Sequence, residues 1–151
     1  MNFSRTLALF FLLLCTTLAR AQEASAADQE KQFTTLLTNA TLVGRWCLVR
    51  DGQLTPERDE SYEVVNVQKG DGDKWIVNAK LKYQEQTIVA PIPVRVQWVG
   101  GAAVMIVDGL TIPGGGTYSA RVLFHGETYS GTWSGGDRTG MLHGVVKTAG
   151  R

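Results

Sequence analysis

Three tyrosines and three larger rings stand where they could bind something. Tyr83, Tyr118 and Tyr129 carry hydroxyls, and Trp98, Phe124 and Trp133 carry broad apolar faces. Each lies in an alternating stretch that also holds small residues such as Ala79, Ala90, Ala120 and Gly131. Rings beside small residues can line a space for an apolar ligand, with tyrosine hydroxyls offering hydrogen bonds at its mouth. The same alternation fits a solid core in which small and large side chains match a taper. The sequence does not choose between the two.

Catalytic chemistry has thinner support. His125 ends one apolar segment beside Gly126-Glu127, and His143 shares a strand face with Met141 and Val145. Neither forms with Asp137 or Cys47 a local motif of the kind that marks an activated nucleophile, so no catalytic residue is assigned. A metal site needs three or four ligands. Two separated histidines and one cysteine do not supply them, and neither a metal nor a cofactor is expected. Gly114-Gly115-Gly116 is followed by no Lys-Ser/Thr and no helix start, which removes a phosphate loop. Glu57-Arg58-Asp59-Glu60 lacks calcium-loop spacing and reads as a solvated loop.

The chain opens on a pattern that reads as an export signal. Arg5 supplies the positive start, Leu7 to Leu14 is an unbroken apolar run, and Ala19-Arg20-Ala21 fits small-residue cleavage before Gln22. Residues 1–21 are therefore expected to be a signal peptide, and the mature protein to be secreted or periplasmic. No later stretch approaches the roughly 18 apolar residues of a membrane helix, so no transmembrane segment is expected in the mature chain. Cys15 would leave with the leader, so Cys47 has no internal disulfide partner. It reads as a small buried hydrophobe. Loss of Arg5 and Arg20 would leave thirteen basic residues against fourteen acidic ones. These basic residues are scattered singly, which excludes a nucleic-acid partner that must be gripped by clustered Lys and Arg. Asn39-Ala40-Thr41 matches a glycosylation sequon, which matters only in a eukaryotic secretory pathway. The oligomeric state is left open.

The elements that position these residues follow from periodicity. Residues 22–41 read as a lead-in and a short helix over Asp28 to Thr38, with Phe33, Leu36 and Leu37 on one face. One apolar stripe on so short a helix suggests a lid or plug on something larger. Residues 42–151 read as a β-barrel domain. Eight strands are expected at Leu42–Arg50, Ser61–Lys69, Lys74–Gln84, Thr87–Trp98, Ala102–Asp108, Thr117–His125, Thr128–Ser134 and Thr139–Lys147. Gly70-Asp71-Gly72-Asp73, Gly100-Gly101, Gly126-Glu127 and Gly135-Gly136-Asp137 are tight turn signals. Links this short leave no room for crossover helices, so successive strands must be antiparallel neighbours. The fold class is all-β, an eight-stranded antiparallel up-and-down barrel with a short N-terminal helix. Pro91 and Pro93 share one strand face and lack N–H donors, which marks a bulge, a bend or an unpaired edge. Ala102 to Val107 is apolar on both faces, and the helix is the candidate to cover its outer side.

Leu42-Val43-Gly44-Arg45-Trp46, directly after the helix, resembles the Gly-x-Trp signature of lipocalins and related calycin barrels. The resemblance implies that Gly44 and Trp46 help close one end of an eight-stranded barrel. Independently of the resemblance, an eight-stranded barrel has an interior just wide enough to be filled by side chains or to hold one small apolar or amphipathic ligand. Gly131-Thr132-Trp133-Ser134-Gly135 is similar to a segment of avidin-like barrels, but the first strand lacks the polar residues those barrels use on biotin, and biotin is not implied. The expected function is thus an exported, non-enzymatic binding protein with a small hydrophobic ligand at Tyr83, Trp98, Tyr118, Phe124, Tyr129 and Trp133. The alternative is a solid barrel that acts as an interaction or structural module through its surface loops, and a small barrel enzyme ranks below both.

Overall fold

The computed structural model describes residues 26–83, 86–112 and 114–148. The expected signal peptide at 1–21 and most of the lead-in lie outside them, as do the side chains of residues 81–86. The chain divides into two compact units, Met1–Gln32 and Phe33–Arg151. Of the first, residues 26–32 are described and are helical. Their helix, α1, runs over residues 26–37, so its last turn belongs to the second unit. It ends at Asn39, which takes φ +54°. Asparagine tolerates this left-handed cap. The Asn39 N–H donates to the Val65 carbonyl at 3.0 Å, tying the helix exit to the sheet.

The second unit is an antiparallel sheet of nine strands: β1 Ala40–Arg50, β2 Gln53–Leu54, β3 Arg58–Lys69, β4 Lys74–Tyr83, β5 Gln86–Val99, β6 Ala102–Ile112, β7 Gly116–His125, β8 Thr128–Gly135 and β9 Arg138–Thr148. All but the two-residue β2 form a closed eight-stranded up-and-down barrel, sealed by the β1–β9 ladder from Ala40↔Thr148 to Val49↔Thr139. Gly72, Gly100, Gly126 and Gly136 occupy four of the tight turns with φ between 57° and 62°, the region that type I′ hairpins require.

Two strands run further than alternation predicts, and each contains a bulge. β3 begins at Arg58, not Ser61, and its register shifts between Val64 and Asn66. β6 continues to Ile112, not Asp108, through a shift between Val107 and Leu110. There Gly109 takes φ +60°, and its N–H donates to Ser119 Oγ at 3.0 Å. A bulge adds one residue and reverses the in/out phase beyond it, so β6 read at strict period two stops at its bulge. In β3 the expected Ser61–Lys69 already crosses the bulge, and the missed part is the acidic start, Arg58 to Glu60.

One end of the barrel is plugged. Phe33 and Leu37 of α1 are 3% and 1% exposed and belong to the barrel core. The Phe33 ring meets Trp75, Trp98 and Phe124 edge-on, with centroids 5.4, 5.9 and 5.8 Å away. Edge-to-face pairs of this kind add roughly 0.5–1.5 kcal/mol each beyond buried area. The helix therefore does not cover the outer face of β6 with these side chains, as expected from sequence; it puts them inside. On that outer face Ile106 is 7% exposed and lies in register with Arg95 on one side and Arg121 on the other. Both guanidinium groups reach Asp108, at 2.8 and 2.6 Å. Cross-strand neighbours on one face are close enough to shield Ile106 with their aliphatic stems. The two arginines hold the Asp108 carboxyl below the usual carboxylate range.

The other end is looser. β4 pairs with β5 along its whole length, from Lys74↔Arg95 to Tyr83↔Gln86. β5 pairs with β6 only from Arg95↔Ile106 to Val99↔Ala102. The ladder stops just short of Pro93 and Pro91. Two residues without N–H donors cannot extend it, so the unpaired-edge outcome of the proline pair is the one realised.

Candidate ligand-binding cavity

Between the plug and the open end lies a cavity of about 560 Å³, inside the size range of small-molecule sites. Its deep walls are apolar: Val64, Val77, Val94, Met105, Val107 and Val122. Toward the mouth it is lined by Trp46, Tyr118, Trp133, Leu110, Ile112 and Arg138.

The lumen is open because several aromatic rings lie flat against glycines instead of crossing it. Gly44 on β1 faces Gly144 on β9 in register. A Cβ at Gly44 would fall 2.5 Å from the Tyr129 hydroxyl, and one at Gly144 would fall 2.7 Å from that ring. Likewise a Cβ at Gly140 would meet the Trp133 indole at 2.4 Å, and one at Gly135 would meet the Tyr118 ring at 2.5 Å. The glycines remove the bulk that would push each ring inward. The rings then become wall. Trp133 also contacts Trp46 edge-on at 5.7 Å, and the Arg58 guanidinium sits 5.4 Å over the Trp46 ring, a cation–π arrangement.

A single carboxylate breaks the apolar lining. Glu60 on β3 shares its strand face with Tyr62 and Val64 and lines the cavity. Tyr129 donates its hydroxyl to Glu60 Oε1 at 2.8 Å, and Tyr62 donates to Glu60 Oε2 at 3.0 Å. Burial raises the pKa of Glu60, against the two hydroxyl bonds and a weaker pull from His143, which favour its charged form. Burial and the adjacent carboxylate push the pKa of both tyrosines well up, so both stay protonated donors.

The six residues singled out as ligand-binding occupy different places. Tyr118, Tyr129 and Trp133 line the cavity. Trp98 and Phe124 stack on Phe33 in the plug. Tyr83 is the last residue of β4, and its side chain is outside those described. Gly44 and Trp46 sit on the cavity side, with Trp46 paired to Arg58 and Leu142 well away from the plug. Sequence reasoning missed Glu60 and Tyr62. Glu57 to Glu60 read as a solvated loop, whereas Arg58–Glu60 is the start of β3. Had the strand been extended by one more step of two, Glu60 would have fallen in phase with Tyr62 and Val64.

The histidines stand apart from the cavity. His143 Nε2 lies 2.9 Å from Glu57 Oε1 on the outer surface, where Arg45 approaches Glu57 and Asp59 at 3.5 and 3.4 Å. Asp137 and Cys47 take no part in that pair, and Cys47 is buried. Among the described residues no group of three His, Cys, Asp or Glu side chains could hold a metal, and no helix is long and apolar enough to cross a membrane. Comparison with family models, with curated proteins and with solved structures gives no match to this chain.

Proposed function

We propose that this protein is an exported binding protein, a calycin-like barrel that carries a small, largely apolar ligand without transforming it. The observation that carries this reading is the cavity: about 560 Å³, apolar in its depth and lined by rings laid back on glycines. Burying a ligand's apolar surface there gains about 25 cal/mol per Å², and a wall already laid back needs little rearrangement to receive it. Trp46 and Trp133 lie at the mouth, so occupancy should alter their emission. An apolar fluorescent probe titrated into the protein should give a saturable change that weakens in Trp133→Phe. A linear, non-saturating response would overturn the proposal.

Export rests on the leader pattern, with cleavage after Ala21 and residues 42–151 as the barrel domain. Expression in a secreting host followed by N-terminal sequencing should give a chain that begins at Gln22. A full-length product retained in the cell would contradict it. The surface-module alternative needs a filled interior, and the lumen described above is open.

A further inference from the structure

We infer that the ligand carries a basic amine at one end of its apolar body, received by Glu60 between Tyr62 and Tyr129. The inference rests on the binding role proposed above and deepens it.

The geometry gives the reason. Glu60 is the carboxylate that lines this cavity, and each of its oxygens already accepts one hydroxyl hydrogen, from Tyr129 at 2.8 Å and from Tyr62 at 3.0 Å. A carboxylate oxygen has two acceptor directions, so one on each oxygen remains for the lumen. The tyrosines fix the carboxylate's orientation but bring no positive charge. No salt bridge within 4 Å reaches Glu60 among the described residues; Lys80 goes to Glu63, Arg45 to Glu57 and Asp59, and Arg95 and Arg121 to Asp108.

An apolar ligand entering this space strips the remaining water from Glu60. With an alkane or an alcohol the loss is poorly compensated, because a buried charge without a partner is costly. With an ammonium group the same desolvation strengthens a charge-assisted hydrogen bond. Three cations are the opposing influence: Arg138 at the mouth, Lys80 in the lining but engaged by Glu63, and Arg58 over Trp46. They would select an anionic head held at the rim, with the tail inward. Glu60 is half-buried in a mostly apolar wall and held by two donors, the buried Tyr129 and the more exposed Tyr62, and this favours the amine.

Three ligands of equal chain length separate these outcomes: decylamine, decanol and decanoate, measured by displacement of an apolar fluorescent probe at neutral pH. The inference expects decylamine to bind about tenfold or more tighter than decanol, and decanoate to bind weakest. In Glu60→Gln, which keeps the size and one acceptor oxygen, the amine preference should vanish while decanol binding stays within about twofold. Tyr62→Phe should reduce the preference partially, with the cavity intact. Equal binding of all three, or a preference for decanoate that is lost in Arg138→Gln, would overturn the amine inference and leave the binding role standing. If the apolar probe itself fails to bind the folded wild-type protein, the binding role and the inference fall together.

Discussion

The two ends of this barrel use the same kind of side chain for opposite purposes. At the plugged end, Trp75, Trp98 and Phe124 converge on Phe33, which arrives from outside the sheet on α1. At the open end, Tyr118 and Trp133 lie back on Gly135 and Gly140, while Tyr129, set against Gly44 and Gly144, links the two ends by packing on Phe124 at 6.1 Å. Aromatic content does not decide whether a barrel is filled. What decides it is whether a ring has bulk behind it and a partner in front of it.

The largest expected effect tests the filled end. Phe33→Ala removes the hub of three edge-to-face contacts and should cost about 3–5 kcal/mol, read as a lower urea midpoint with an unchanged slope. A loss under about 1 kcal/mol would mean the plug is incidental and the two ends differ less than their contacts indicate. Next comes the laid-back wall. Gly44→Ala places a Cβ 2.1 Å from the His143 carbonyl oxygen and 2.5 Å from the Tyr129 hydroxyl. Backbone cannot yield cheaply, and a cost of about 1–3 kcal/mol is expected, together with weakened probe binding as Tyr129 is pushed into the lumen.

Ala120→Phe converts the open end into something like the plugged one. Ala120 lines the cavity and is partly buried. Filling an existing void should leave stability within about 1 kcal/mol of wild type, or raise it, while probe binding falls about tenfold or more. Calorimetry and titration on one preparation give both numbers, and undiminished binding would place the ligand elsewhere.

The polar spot in the cavity wall makes a pH prediction. Burial raises the folded-state pKa of Glu60, so the folded barrel binds that proton more tightly than the unfolded chain does. The resulting stability is fully present below the unfolded value and is lost as pH rises through the folded one. Glu60→Gln should therefore gain in melting temperature relative to wild type between about pH 4 and neutrality, and a pH-independent difference would contradict the assignment. The smallest effect belongs to the outer surface. The hydrogen bond from His143, with help from Arg45, holds Glu57 below its ordinary pKa. That contribution is present above the unfolded value and is lost as pH falls through the folded one. His143→Ala should move the Glu57 titration upward by NMR with almost no change in melting temperature, as expected of an exposed pair.

The barrel was legible in the chain because alternation was clean where it mattered. Trp75, Val77 and Ala79 pair with Val94, Ile92 and Ala90 on one face, as their spacing predicts. Tyr118, Ala120, Val122 and Phe124 likewise face Gly135, Trp133, Gly131 and Tyr129 across β7 and β8. Glu60 was not legible. It shares a phase with Tyr62 and Val64, but the acidic run Glu57-Arg58-Asp59-Glu60 has the composition of a loop, so alternation was not carried back to it. The placement of the helix was half legible: its apolar stripe implied a plug, but not which surface would receive it.

The sequence by itself determined the eight barrel strands, their antiparallel order, most of the turns and, away from the bulges, the face each residue takes, because these depend on neighbours two residues away or on a single tight connection. Only the tertiary structure decided which rings fill the barrel, which line it, and that a carboxylate sits in the lining. Those outcomes depend on what lies across the lumen or behind a ring. The bond from Tyr129 to Glu60 joins residues 69 positions apart, a distance over which periodicity carries no information.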